Sequence, residues 1–382
     1  MNSKKTIILT QVDSWFFRDG RPFNMNEFSQ SDISSIFPPY PPTVVGAIRA
    51  GLARAKGWNG CGSWSDELKA WIGDGPNLGK LKFNGPYLIK DGEVLFPAPM
   101  YLGKYKKEED NKNENKACNC LEIAKLGSQE VDCDLGKVRM PTFDKCKDID
   151  KNKCKWKPLE KAYLTKENME LVLKGEDISN KKLEIVEAKE LWNREFRLGI
   201  ELDKKSKTTK EGALYSTNHI RLRKGIGLGV VVVYDGVDEK FEIDSIIPFG
   251  GESRLANVKV LDKEVSLPNG PKADELEKEN GKVRFSIVHI TPAYFTKMPN
   301  LGEKVPGTEG KVVFAFLGRP AKVGGWDSLN RTPLPLKSCI PAGSSWFCEA
   351  DANVAENIVN MNGEKIGEMT EYGFGQILIG NW

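Results

Sequence analysis

The chain has 382 residues, with 56 Lys and Arg against 53 Asp and Glu and a formal net charge of +3. That length predicts two domains of roughly 100–200 residues each, and the near-balanced charge excludes a globally polybasic protein, so any surface for nucleic acid must be local. The 40% hydrophobic and 29% charged fractions are those of a globular protein, and 37 Gly with 21 Pro predict a strand-rich, loop-rich chain. No run approaches the roughly 18 apolar residues that span a bilayer, and the apolar run around Ile7 is too short for a secretory signal; a cytoplasmic location and no membrane partner are expected.

Thr6 to Val12 (TIILTQV) is a β-branched run that predicts an opening strand, with an aromatic loop from Asp13 to Phe28 behind it. The prolines of FPPYPP, Phe37 to Pro42, remove amide donors and forbid helix, and Thr43 is placed to cap the following VVGAIRAGLARAKG helix. Strands are predicted at Tyr87 to Ile89 and Val94 to Phe96, after which residues 104–117 lose apolar periodicity and read as a solvated insertion. A charged helix is expected within 165–195, followed by strands at Phe196 to Leu202, Ile220 to Leu222 and Leu228 to Tyr234. The last is a continuous β-branched run suited to a buried central strand. Polar residues 267–282 read as a linker. Beyond it, VRFSIVHITPAYF, Val312 to Phe316, Ser345 to Glu349, a short helix after Asp351 and a closing QILIG predict a second domain. Strands interleaved with few helices predict an α+β fold, with domains at 1–266, carrying an insertion at about 104–157, and at 282–382.

Five of the eight cysteines, Cys118, Cys120, Cys133, Cys146 and Cys154, share one lysine-rich stretch. A reducing cytosol disfavours disulfides, which leaves free thiols or a thiolate zinc site, although the spacing C-x-C-x12-C-x12-C-x7-C lacks paired C-x2-C. No cofactor is required; a structural zinc is the one left open.

Residues 197–224 carry eight Lys and Arg against three Asp and Glu, a local +5, with strand character at both ends. A hairpin there could set Arg197, Lys204, Lys205, Lys207, Arg221 and Arg223 against phosphates while Tyr215 or His219 stacks on a base; a solvated surface hairpin is the plain alternative. Gly373 and Gly375 flank Phe374 just before a strand, which suits either a phosphate-contacting loop or a simple turn, and the Lys-Ser/Thr of a P-loop is absent. The PPTVVGAIRAGLARA block offers free amides at a helix start, Gly46 for close backbone approach and Arg49; an amphipathic helix packed on a sheet explains it too. Arg18 and Arg21 sit among Trp15, Phe16, Phe17 and Phe23, a mixture for base stacking or for a protein interface. His219 and His289 are the only histidines and no catalytic motif is present, so no enzymatic activity is expected.

The blocks DSWFFRDGRPF, FPPYPPTVVGAIRAGL, GPYLIKDGEVLFPAPMYL, EFRLGIELD, EGALYSTNHIRL, GGESR, IPAGSSWFCEA and GFGQILIG stand in the order seen in the third RAMP subunit of type III-B CRISPR (Cmr) complexes. The chain resembles that family along most of its length. The resemblance implies two ferredoxin-like (RRM-like) domains with long insertions, in a non-catalytic subunit of an antiviral ribonucleoprotein. Its implied partners are the 5′ tag of the CRISPR RNA, the polymerase-like large subunit and the backbone RAMP subunits. By motif, Arg49, Arg197, Gly373 and Gly375 become RNA-facing. The Cys-rich insertion departs from the family pattern. A metal-free RAMP-superfamily endoribonuclease acting on CRISPR repeat RNA and a protein-only scaffold are the alternatives.

Overall fold

A computed structural model describes residues 3–18, 32–107, 120–133, 136–143, 154–178, 181–203, 205–206, 208–234, 241–327 and 332–382. The first half of the chain contributes β1 (Ser3–Gln11), the short β2 (Asp32–Ser34), α1 (Pro41–Ala55), α2 (Asp66–Ile72), β3 (Leu81–Lys90) and β4 (Glu93–Pro97). It continues with the hairpin β5 (Trp192–Leu202) and β6 (Thr209–Leu222), then β7 (Ile226–Tyr234) and β8 (Leu255–Leu261). Ile7 and Leu9 of β1 are fully buried while Thr10 faces out, the alternation a half-covered strand requires. β7, buried along nearly its whole length, pairs with β1 on one side and β3 on the other, as its unbroken apolar run predicts.

α1 starts on its prolines: Pro41 and Pro42 fill the first two helical positions, where an amide would lack a partner anyway. Tyr40 is the N-cap and carries no side-chain cap bond, so Thr43, exposed inside the first turn, is not the cap its sequence position suggests. Val44, Val45, Ile48 and Leu52 recur at helical spacing and close over the first core.

The rest of the chain contributes β9 (Lys282–His289), β10 (Lys311–Phe316), the hairpin β11 (Ala321–Asp327) and β12 (Thr332–Cys339), β13 (Ser345–Asp351), α3 (Ala355–Val359) and β14 (Ile377–Gly380); β9, β10, β13 and β14 belong to the second sheet and the hairpin is a two-stranded sheet of its own. The central strands of the two sheets follow one order, β8-β1-β7-β3 in the first and β14-β9-β13-β10 in the second, or 4-1-3-2 by position in the chain. A βαββαβ unit gives that order. Helix placement departs from it: α1 follows the first strand of the first unit, with α2 after it and the helices Lys166–Leu173 and Ala188–Leu191 between β4 and β5, as the expected helix within 165–195 requires, and α3 follows the third strand of the second unit.

Two stretches read as coil are structured. Leu102–Lys107 pairs with Leu121–Ile123 and Cys154–Pro158, and Lys125–Cys133 with Gly136–Thr142, so most described residues of the insertion are β structure. Residues 108–119 lie outside the described residues. Leu102 and Ile123 bury in a core shared by both sheets, a long-range reward invisible to local periodicity. The presumed linker is likewise seated: Leu276 is buried in the second core, and Asn269 donates to Glu170 at 2.9 Å.

The segment before β14 joins the sheets. Phe374 enters the first core, the Tyr87 hydroxyl donates to Gln376, and the Gly373 and Gly375 amides donate to Thr370 O at 3.0 Å and Pro292 O at 2.8 Å. Gly375 has φ +72, and a Cβ there would lie 1.9 Å from Ile366 O; Gly373 has φ +101, with Gly85 O at 2.5 Å. Both glycines are buried with their amides spent, so the close approach they permit is to their own chain, not to a phosphate. Gly46 faces open space on α1, with nothing within 4 Å of an added Cβ. Gly375→Ala is therefore expected to lose more than about 2 kcal/mol in urea unfolding, whereas Gly46→Ala gains up to about 1 kcal/mol. Equal midpoints for the two variants would refute this account of the junction.

Candidate nucleic-acid interface

The β5–β6 hairpin stands out from the first sheet with β6 in the middle and β5 at the edge, since β2 covers the other side of β6. Register fixes its two faces: Arg194 opposes Ile220, Glu195 opposes His219 and Arg197 opposes Thr217. On the even-numbered face of β5, Phe196, Leu198, Ile200 and Leu202 are 59%, 65%, 50% and 47% exposed. An edge strand is normally protected by charge or proline. Four outward apolar side chains in a row instead mark a surface that meets something.

The odd-numbered face carries charge. Asp13 accepts from Arg197 Nη2 and Arg221 Nη2, both at 2.8 Å, and from Arg254 Nη1 at 3.1 Å. Glu195 accepts from Arg197 Nε at 2.8 Å and from Arg221 Nε. These donors, with the attraction of the same cations, hold the Asp13 carboxyl far below the usual range and that of Glu195 at about 2. Three guanidinium groups against two carboxylates leave the cluster at +1. Beneath it His219 is buried, with Ser14 Oγ 3.0 Å from Nδ1, Thr217 Oγ1 3.1 Å from Nε2 and Phe16 stacked on the ring. Burial, with the charges of Arg254 and Arg197, lowers its pKa to about 4.

A cleft of about 200 Å3 opens at the hairpin base, lined by Ser35, Phe37, Lys161, Lys189, Trp192 and Arg194 among others. Trp192 meets Phe37 edge-on at 4.8 Å and so offers a fixed aromatic wall. Lys189 is paired with Glu187 at 2.7 Å, but Lys161 and Arg194 have no carboxylate partner among the described residues. The cleft is smaller than the roughly 300–1,000 Å3 of most small-molecule sites and of the scale of one planar base. Free cations beside an aromatic wall are the elements that hold single-stranded nucleic acid.

Several residues expected at the interface have other work. Arg49 is buried, donating from Nε to Ile72 O at 2.8 Å, from Nη1 to Gly75 O at 2.9 Å and from Nη2 to Asn77 O at 2.9 Å, with Trp64 across its face. It caps the C-terminus of α2 and cannot also hold a phosphate. His219 is sealed under Phe16 and cannot stack on a base. Arg197 and Arg221 are committed to Asp13 and Glu195, while Arg223 donates to Lys189 O at 3.0 Å. Arg18 and Lys205 are exposed. Tyr215 sits in β6 opposite Gly199, its side chain outside the described residues, as are Arg21, Lys204 and Lys207 entirely.

Cys120 and Cys154 are disulfide-bonded, which corrects the expectation of free thiols and removes both as thiolate ligands in this state. Cys118, Cys146 and the Cys133 side chain lie outside the described residues. The cleft itself was missed. Phe37, Lys161, Lys189 and Trp192 are scattered in sequence, and only the outward alternation of EFRLGIEL hinted at an unusual edge.

Fold and cleft together describe an α+β protein built on two sheets with the same central strand order. The family described as CRISPR-associated protein (Cas_Cmr3) matches residues 7–382, and the chain belongs to it. It is 32% identical over 262 residues to the CRISPR system CMR subunit Cmr3 of Saccharolobus solfataricus, an alignment covering 68% of this chain and 65% of that protein's length. Among solved structures it is similar to a chain of the type III-B Cmr-beta complex bound to cognate target RNA, with 17% identity, TM-score 0.47 and coverage of 90% of this chain and 86% of that one. It is also similar to a chain of the Csm3–Csm4 subcomplex of the type III-A CRISPR-Cas interference complex, with 12% identity, TM-score 0.39 and coverage of 90% and 92%.

Arg49→Ala should cost on the order of 3 kcal/mol in stability, since three carbonyls lose a charged donor, while RNA affinity at a temperature where the variant is folded stays at the parent value. Unchanged stability with weakened RNA binding would reverse that assignment. The histidines predict a pH response. His219 and His289 have folded pKa values lowered to about 4 and about 3 from 6.5, both first by burial. Below pH 6.5 the unfolded chain takes up protons that the folded one does not, so stability is full above pH 6.5 and falls as pH drops toward those values. His289→Leu should flatten the fall in urea midpoint between pH 7 and pH 5; an unchanged slope would show that this imidazole does not contribute.

Proposed function

We propose that the chain is a non-catalytic subunit of a type III-B CRISPR effector that holds the 5′ tag of the CRISPR RNA and helps join the polymerase-like large subunit to the RAMP backbone. The observation that carries this reading is the cleft at the foot of β5–β6, where Lys161 and Arg194, with no carboxylate partner among the described residues, stand beside the Trp192 wall. One base lies against Trp192, and the phosphates on either side of it meet the two cations. The outward ladder Phe196, Leu198, Ile200 and Leu202 supplies the apolar surface for a neighbouring subunit. Each sheet is read as a ferredoxin-like unit. The non-catalytic reading is supported by the burial of both imidazoles, which are held neutral and away from any bound backbone.

Lys161→Glu combined with Arg194→Glu, placed in the assembled complex, should weaken binding of tagged guide RNA. The slope of log affinity against log salt should fall by about 0.7 for each phosphate that is no longer neutralised. Affinity and slope equal to the parent's would end the RNA-holding reading and leave the scaffold, for which the apolar ladder already speaks. Specific cleavage of repeat RNA by the pure chain, abolished in His219→Ala, would instead establish the endoribonuclease.

A further inference from the structure

The two sheets share their strand order, and they also share the place where a hairpin leaves the chain. In the first unit β5–β6 falls between the second and third strands, β3 and β7; in the second, β11–β12 falls between β10 and β13, again the second and third. Both hairpins are rooted in the same core, the first through Trp192, Ile220 and Leu222, the second through Val323 and Cys339. Both then run outward with apolar side chains uncovered. On β11–β12 these are Trp326, 60% exposed, with Leu334 and Leu336.

The charge agrees as well. Residues 317–339 carry four Lys and Arg against one Asp, a local +3 beside the +5 of the first hairpin. Arg319 and Lys322 are exposed, and neither has a carboxylate partner among the described residues. Pro333 sits directly across from Trp326, and Pro335 follows two residues on. Neither has an amide to donate, so this strand is a poor template for an added protein strand. Exposed indole, unpaired cations and a donor-poor edge favour a base and its phosphates over a protein strand.

We propose that β11–β12 is a second binding surface for single-stranded RNA, in which Trp326 stacks on a base towards the outer end of the hairpin and Lys322 and Arg319 neutralise phosphates further along the strand, towards its base. It shares with the function proposed above the premise that RNA is a ligand of this chain, but it uses none of the residues of the first cleft.

The test uses the full chain and a labelled guide RNA carrying photoreactive 4-thiouridine, with four proteins: parent, Trp326→Ala, Arg319→Glu with Lys322→Glu, and Lys161→Glu with Arg194→Glu. Circular dichroism and thermal midpoints confirm that each is folded. The expected result is a photo-crosslink on the peptide containing Trp326 and a loss of affinity on the order of 5- to 100-fold for Trp326→Ala, about equal at low and high salt. The Arg319/Lys322 variant should show a salt slope lower by about 1.4 for two phosphates. Affinity, slope and crosslinks unchanged in both β11–β12 variants, while the Lys161/Arg194 variant is impaired, would overturn this proposal and leave the first site standing. Impairment confined to the β11–β12 variants would keep this proposal and remove the cleft. Parent that binds no RNA would overturn both. Loss of a partner subunit from the assembled complex on Trp326→Ala, with RNA affinity intact, would overturn it in favour of a protein-binding surface.

Discussion

Gly373 and Gly375 let the segment ahead of β14 lie backbone to backbone on β3 and on Ile366, and the two sheets share a core because of it. A Cβ at either position would overlap a carbonyl oxygen. Around this junction the second unit grips the first: Phe374 is sunk in the first core, Tyr372 Oη donates to Pro76 O at 2.7 Å, and Lys365 Nζ donates to Phe83 O at 3.0 Å. Burial lowers the Lys365 pKa to about 8, which marks how far this junction is removed from water. Behind it, Tyr87, Phe96 and Val231 of the first sheet pack with Val288, Phe347 and Leu378 of the second. Both hairpins therefore rise from one rigid support, the condition under which two separated binding surfaces can fix the path of a single strand.

Arginine serves three purposes here, and the environment decides which. Arg49 is an internal cap for α2, held by three carbonyls under Trp64. Arg197, Arg221 and Arg254 neutralise Asp13 and Glu195 and lock the hairpin base to the loop after β1. Arg194 and Arg319 are exposed, with no carboxylate partner among the described residues. Pairing a cation costs it little solvation at a surface and returns little stability, but it withdraws that charge from any ligand. The +5 counted along residues 197–224 therefore overstates what the hairpin can offer a phosphate, and Arg194, just outside that window, is exposed with no carboxylate partner among the described residues.

The 4-1-3-2 order repeats in the two sheets, with α1 after the first strand of the first and α3 after the third strand of the second. On the shared core the first sheet is covered by its neighbour, by the helix Lys166–Leu173 and by the insertion, as Met169, Val172, Leu102 and Ile123 illustrate. The hairpins are the part of each unit that no core covers. Apolar residues there survive on the surface only where a partner offsets their exposure.

The sequence by itself determined the regular elements: the alternation in TIILTQV, the unbroken β-branched run of β7, the prolines that start α1 and the helical spacing of Val44, Ile48 and Leu52. Each is a local pattern, set by side-chain direction over two to eight neighbours, and local patterns survive translation into structure. The hairpin was legible for the same reason, and the ordered motif blocks pointed to the family. What only the tertiary structure decided was the use of each polar group. Arg221 meets Asp13 208 positions away, Trp192 meets Phe37 across the cleft, and Gly373 lies against Gly85. His219 looked like a stacking residue and proved to be a buried one because Phe16, Ser14 and Thr217 close around it. Whether a charge is free, paired or buried depends on partners brought in by the chain's long-range path, and no window of neighbouring residues contains them.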